Sequence, residues 1–298
     1  MCESAFVVTC AKKERVEPQK FKNNNGLIIL VNLKLCYTFT AMNNPIIISI
    51  VNQKGGVGKT TTSINLASYL SEKKHKTLLI DLDPQANATS GVGLDKKKIK
   101  KTIYDVLIRQ TPITECLYPT VFNHLNLIPS SKDLSGAEIE LVDVVSRETC
   151  LMNSLEKIKK YYDIIIIDCP PSIGLLTVNA LVASTHTLIP LQCEYFALEG
   201  IANLLKTVQL IQENLNENLQ LLGILLTMFD KRTVLNKHII KNAKEFFGDL
   251  IFETIIPRNI KLTEAPSHGL PISLYNPNSS GATAYFNLTK EVLQRVKQ

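Results

Sequence analysis

The chain has 298 residues, 45% hydrophobic and 20% charged, the balance of a folded globular protein and not of a disordered segment, a collagen-like repeat or a coiled-coil rod. Its formal net charge of +6 permits contact with nucleic acid or anionic lipid but locates no patch. No stretch reaches the roughly 18 uninterrupted apolar residues of a membrane-spanning helix, and the seven cysteines, odd in number and without a CxxC pair, read as free thiols of a reducing cytoplasm, not as a disulfide framework or a zinc site.

Residues 1–41 carry three of those cysteines and a basic run (Lys12, Lys13, Arg15, Lys20, Lys22) ahead of an apolar patch, Leu27 to Leu33. Basic-then-apolar is the order of a secretory signal, but Asn32 and Lys34 interrupt the patch and it starts too late. We read this segment as a loosely ordered extension, with Met42 an alternative start. From there short apolar runs alternate with amphipathic stretches. Ile46–Val51 is a β-branched run suited to a strand buried on both faces. A glycine-rich loop and a helix through Glu72 follow, then apolar runs at Thr77–Asp81, Leu125–Ile128, Ile164–Ile167, Thr187–Leu191, Leu221–Thr227 and Leu250–Ile256. Helical patterns, such as Leu198–Gln212 and Val234–Phe247, lie between most of them. Strands separated by helices imply βαβ crossovers. The expected fold is one doubly wound α/β domain, residues 43–298, with a mostly parallel sheet flanked by helices.

The chemistry is expected where strands end. Lys54-Gly55-Gly56-Val57-Gly58-Lys59-Thr60 joins the first strand to the first helix. Glycines let the backbone fold tightly enough for its N–H groups to point inward at phosphate oxygens, and the helix N-terminus adds partial positive charge. In such a P-loop Lys59 reaches the β- and γ-phosphates and the Thr60 hydroxyl ligates Mg²⁺; Thr61 continues the loop into the helix. Leu79-Ile80-Asp81-Leu82-Asp83-Pro84-Gln85-Ala86-Asn87 ends the second strand in carboxylates able to orient a cation or a water. The isoleucine run Ile164–Ile167 delivers Asp168 to its C-terminal end, in place to hold a Mg²⁺-bound water. Cys169 has no accompanying histidine and asparagine signature and reads as an inert strand-end thiol; His268 likewise reads as a loop histidine.

The loop lacks the glycine that G-x-x-x-x-G-K-[ST] requires at Gln53 and places Lys54 at its front. This K-G-G-x-G-K-T form resembles the deviant Walker A motif of the ParA/MinD ATPases. DPQANATSG, LSGAEIEL, IIIDCPPSIGLLTVNAL, PLQCEYFALEG and the PRN…EAPSHG segment extend the resemblance over nearly all of residues 45–295 and make it closest to ParA/Soj, the chromosome- and plasmid-partition ATPases. The resemblance implies that Lys54 crosses a dimer interface to the partner's nucleotide, that Asp83 positions the attacking water, and that the loop at Pro257 and Asn259 lies against the adenine. It further implies ATP and Mg²⁺ as cofactors, an ATP-sandwich homodimer, non-specific binding of double-stranded DNA, slow hydrolysis stimulated by a ParB-like centromere-binding protein, and a cytoplasmic, nucleoid-associated location without membrane contact. Lys231 and Arg232, with Lys237, Lys241 and Lys244 on one helix face, form a basic stretch; Arg232 and Lys261 fall where similar proteins contact DNA, whereas Lys96–Lys101 matches no such role. A MinD-like division-site ATPase is the nearest rival. It would carry a membrane-targeting amphipathic tail, and the C-terminal stripe Ala282, Tyr285, Phe286, Leu288, Val292, Leu293, Val296 reads instead as core packing. A ParA-like regulator of replication is the further alternative.

Overall fold

The computed structural model describes residues 45–194 and 197–297; the extension expected over residues 1–41 lies outside the described residues. The apolar runs become strands because neighbouring layers cover both their faces. β1 (Ile46–Ile50), β2 (Thr77–Asp81), β3 (Tyr118–Pro119), β4 (Leu125–Ile128), β5 (Ile164–Asp168), β6 (His186–Gln192) and β7 (Gln220–Thr227) form one sheet in the order β3-β4-β2-β5-β1-β6-β7. Every pairing is parallel except β3 with β4.

Helices make the crossovers. α1 (Lys59–Glu72) joins β1 to β2, and α2 (Asn87–Gly91) and α3 (Ile103–Leu107) lie between β2 and β3. α4 (Leu134–Glu140) and α5 (Cys150–Leu155) precede β5, α6 (Leu175–Ala183) precedes β6, and α7 (Ala197–Asn214) precedes β7. α8 (Val234–Phe247), α9 (Ile260–Glu264), α10 (Ile272–Tyr275) and α11 (Ser280–Arg295) complete the chain. Successive strand residues face opposite sides of a sheet, and the core divides accordingly. Ile48, Ile50, Ile164 and Ile166 pack with Leu66 of α1 and Leu288 of α11 on one side. Ile47, Ile165 and Ile167 pack with Leu134 of α4, Leu176 of α6 and Leu204 of α7 on the other.

The expected run Leu250–Ile256 is not a strand. It begins in a 3₁₀ turn, Gly248–Leu250, and meets β7 and its extension through isolated bridges, Ile224 with Ile251 and Phe229 with Pro257, and through scattered amide bonds such as Ile256 to the Leu226 carbonyl at 2.9 Å. Side chains of α11 take others of its polar groups. Glu291 accepts from the Glu253 and Thr254 amides at 2.8 and 2.9 Å, and Arg295 donates to the Asp249 and Ile251 carbonyls. β3, only two residues long with a proline, carries no periodicity from which to read it.

The C-terminal stripe packs as core: Tyr285, Leu288 and Val292 are buried, and Phe286 turns outward. Among the described residues no helix is long and apolar enough to cross a membrane. Leu288→Ala removes a fully buried side chain and is expected to cost about 2–5 kcal/mol, seen as a lower denaturant midpoint at an unchanged slope.

Candidate nucleotide site

β5 and β6 flank β1 on opposite sides, so connections diverge there and leave a crevice beyond the carboxyl ends of the strands. The loop after β1 opens into that crevice. Gly56 and Gly58 adopt φ of +75° and +92°, a region that side chains with a Cβ rarely enter. Asn52 fastens the start of the loop, donating to the Pro190 carbonyl at 2.7 Å and accepting from the Lys54 amide at 2.9 Å. Thr227, at the end of β7, donates to the Val57 carbonyl at 2.9 Å. Lys59 is buried, and its Nζ donates across the loop to the Lys54 carbonyl at 3.0 Å. Burial holds its ammonium below the usual lysine pKa, opposed by the nearby charges of Asp168 and Asp83.

The carboxylates arrive by strand register. Asp81 on β2 stands directly beside Asp168 on β5, and both are fully buried. One oxygen of Asp168 accepts from Ser63 Oγ at 2.8 Å; the other is buried without a partner among the described residues. Burial raises both carboxyls above the ordinary range; the charge of Asp81 adds to the shift at Asp168, and that of Asp83 to both. Asp81 is turned to a structural task. Its Oδ2 accepts from the Thr89 amide and hydroxyl, each at 2.7 Å, and its Oδ1 accepts from the Asp83 amide at 3.2 Å. Thr89 Oγ1 in turn accepts from the Ser130 amide at 3.0 Å. The turn that carries Asp83 is thus tied to β2, α2 and the loop after β4.

These parts face one cavity of about 780 Å³, within the range of small-molecule and cofactor pockets. Gly55, Gly56, Gly58, Lys59, Thr60 and Thr61 line it together with Asp83. Pro257, Asn259, Met228 and Tyr285 line it as well. Val57 lies beneath the loop, buried. The Asn259 side chain is fully engaged: Oδ1 accepts from the Lys261 amide, capping α9, and Nδ2 donates to Ser280 Oγ, both at 2.8 Å. It therefore shapes the loop that meets the cavity.

Lys54 stands apart from the cavity. It is half-exposed and paired with Glu194 of the same chain at 2.7 Å. Arg232 and Lys261 also lie outside the cavity lining. Arg232 is 82% exposed and grips Asp230 through Nε and Nη2 at 3.0 and 2.7 Å; Lys261 pairs with Glu264 at 2.9 Å. Cys169 is fully buried and burial pushes its thiol pKa up, which fits an inert side chain. His268 stacks on Tyr275 with centroids 4.9 Å apart. The sequence reading missed Ser63, Thr89, Glu194, Thr227 and Tyr285. Only Ser63, one helical turn after Lys59, carried a usable signal. Tyr285 comes from the last helix, and its hydroxyl lies 3.2 Å from Thr62 Oγ1.

Fold and site together define a P-loop nucleotide-binding protein whose loop is fronted by a second lysine. A family model described as an AAA domain matches residues 46–221. The sporulation initiation inhibitor protein Soj of Bacillus subtilis is 52% identical over 246 residues, covering 83% of this chain and 97% of that one. The chromosome partitioning protein ParA of Myxococcus xanthus is 49% identical over 249 residues, covering 84% and 88%. Among solved structures, cobyrinic acid a,c-diamide synthase from Mycobacterium smegmatis, with bound ADP and magnesium, superposes with a TM-score of 0.74 at 33% identity, covering 85% of this chain and 96% of that one. The chain belongs to the ParA/Soj family of partitioning ATPases.

Proposed function

We propose that this chain is a DNA-partitioning ATPase that binds MgATP, dimerises around the nucleotide and, as a dimer, holds double-stranded DNA without sequence preference. The observation that carries the reading is one cavity onto which Lys59, Thr60 and Asp83 all open. In this reading Lys59 meets the β- and γ-phosphates, and the loop at Pro257 and Asn259, which lines the same cavity, lies against the adenine. The residues also suit Mg²⁺. Thr60 lines the cavity, one Asp168 oxygen is buried without a partner among the described residues, and three aspartates share the neighbourhood of one lysine. A divalent cation offsets that excess negative charge; Mg²⁺ keeps several waters and draws its other ligands from phosphates. Thr60 would hold it and Asp168 one of its waters, and the ion would supply charge neutralisation at the phosphates. Asp83 positions the attacking water. It is the one carboxylate among the described lining residues, with no histidine beside it, which suits slow intrinsic turnover that a ParB-like partner accelerates. Lys54, exposed and held among the described residues by Glu194 alone, exchanges that partner for the nucleotide of a second copy. Residues 43–298 form the ATPase domain in this reading, and the protein acts on the nucleoid.

Arg232 and Lys261 supply phosphate contacts on this reading. Each lost contact lowers the salt slope of DNA binding by about 1, and a dimer presents each residue twice. Arg232→Ala is therefore expected to lower the slope by about 2 and remove most ATP-dependent DNA retention, since it also leaves the Asp230 carboxylate unpaired at the contact. Lys98→Ala, in an exposed lysine cluster, is expected to change little. DNA retention measured at several salt concentrations with ATP constant decides it: equal damage from both substitutions overturns the placement of the DNA face.

A further inference from the structure

The cavity occupies the carboxyl ends of the strands; a different chemistry gathers at their amino ends. Lys73, Lys74 and Lys76 immediately precede β2, and Lys159 and Lys160 precede β5. β2 and β5 are paired neighbours that begin together at Thr77 and Ile164. The two approaches are bound to each other. The Lys76 amide donates to Asp163 Oδ2 at 2.8 Å, and the Asp163 amide donates to the Lys76 carbonyl at 2.8 Å. α11 and the turn after it bring Lys290 and Lys297 to the same end. Lys73 and Lys290 lie over the Phe286 ring, 4.9 and 4.3 Å from its centroid. His75 feels the charges of Asp163, Lys297 and Lys73 together. Tyr161 is exposed with Lys160 5.1 Å from its ring centre.

The carboxylates here do not balance these lysines. Asp163 is used by the Lys76 amide, and Glu156 is paired with Lys159 at 2.7 Å; Glu72 is the remaining exposed acid beside them. Lys76, Lys160 and Lys297 are exposed, and none has an ion-pair partner among the described residues. Like charges collected on rigid strand and helix ends repel one another and focus a positive potential. Phosphates arrayed along a backbone relieve that repulsion and release counterions on binding. A lipid surface fits less well, because it rewards buried apolar area, and the two exposed rings are each met by an ammonium.

We propose that the face formed by Lys73, Lys76, Lys160 and Lys297, with Phe286 and Tyr161, is a second contact surface for the phosphate backbone of double-stranded DNA, separate from Arg232 and Lys261. The proposal rests on the reading that this chain handles DNA, but not on ATP, since none of these residues lines the nucleotide cavity. With one DNA surface near Arg232 and another at the amino ends of the strands, one molecule holds two duplexes.

The test uses the full chain and three exposed lysines whose side chains bond to nothing structural: Lys76→Gln, Lys160→Gln and Lys297→Gln combined. Duplex retention is measured without nucleotide across low salt concentrations, and with ATP. Capture of a free labelled duplex by bead-bound duplex reports bridging. The wild type is expected to show nucleotide-independent binding whose salt slope falls by about 3 in the triple variant, with bridging lost and the ATP-dependent increment intact. The matching triple lysine-to-arginine variant, which keeps the charges, is expected to behave as wild type and so excludes damage to the fold. Arg232→Ala should do the reverse, losing the ATP-dependent increment and keeping the nucleotide-independent component. An unchanged slope in the triple glutamine variant overturns the second surface. So does capture of phosphatidylglycerol vesicles, in preference to duplex, through these lysines. If the triple variant behaves as expected while Arg232→Ala leaves the ATP increment untouched, the Arg232 face fails and this one stands.

Discussion

Lys59→Ala is expected to weaken ATP binding by about 10²–10³-fold, or roughly 3–4 kcal/mol, within the cost of truncating one partner of a desolvated charge pair. The physical case begins with the apo chain. Lys59 is almost fully buried, and its ammonium is spent on a single internal bond to the Lys54 carbonyl. Burial holds its pKa below the usual lysine value, opposed by the nearby charges of Asp168 and Asp83, and an anion in the loop would favour the charged form. Backbone amides of the loop orient phosphate oxygens but carry no net charge to offset them. Lys59→Arg is expected to fail as well, since a planar guanidinium does not fit a loop closed around a compact ammonium. A titration with a fluorescent ATP analogue checks both variants, with circular dichroism confirming the fold; near-normal affinity in Lys59→Ala overturns the placement of the phosphates.

How much of this site was legible before any coordinates differs by element, for physical reasons. The P-loop was legible because its requirements are local: glycines where φ turns positive, a lysine and threonine where the helix opens, a β-branched strand before them. The core strands were legible because burial on both faces demands unbroken apolar runs such as Ile164–Ile167. Asp81 was placed correctly at a strand end, but its partner was not visible, since Thr89 meets it only after the turn through Ala86 folds back. Glu194 and Tyr285 were beyond sequence reasoning; they reach the loop region from 140 and 223 positions away. The Leu250–Ile256 run misled because apolar content alone does not decide pairing. Glu291 and Arg295 claim several of its backbone groups, and nothing in the run itself announces them. The basic residues show the same limit. Their charge is evident in the chain, yet Arg232 and Lys261 each arrive with a carboxylate partner, and the lysines before β2 and β5 become neighbours only through strand pairing.

Asp83→Ala is expected to leave ATP affinity within about twofold of wild type while lowering turnover by roughly 10²-fold or more, the scale of a lost water-orienting carboxylate. The two effects separate because, among the described residues, Asp83 makes no hydrogen bond or ion pair to the phosphate loop. Its own hydrogen bonds are local: Oδ1 accepts from the Gln85 amide at 2.9 Å, and its amide donates to Asp81. Alanine keeps the second of these, so the Asp81–Thr89 tie still holds the turn in place. What disappears is the one carboxylate among the described lining residues, and with it the group that fixes a water for attack. Asp83→Asn sharpens the test. An amide oxygen still accepts from Gln85, but the side chain no longer carries the charge that polarises the water, so turnover should stay low with geometry preserved. In both variants ATP is bound and not consumed, so light scattering should show an ATP dimer accumulating and DNA retention should outlast that of the wild type. Turnover within about threefold of wild type in Asp83→Ala would instead assign the water to another group, since a positioned base is worth far more than that. Loss of ATP binding would place Asp83 among the phosphate-holding residues, which the local character of its hydrogen bonds argues against.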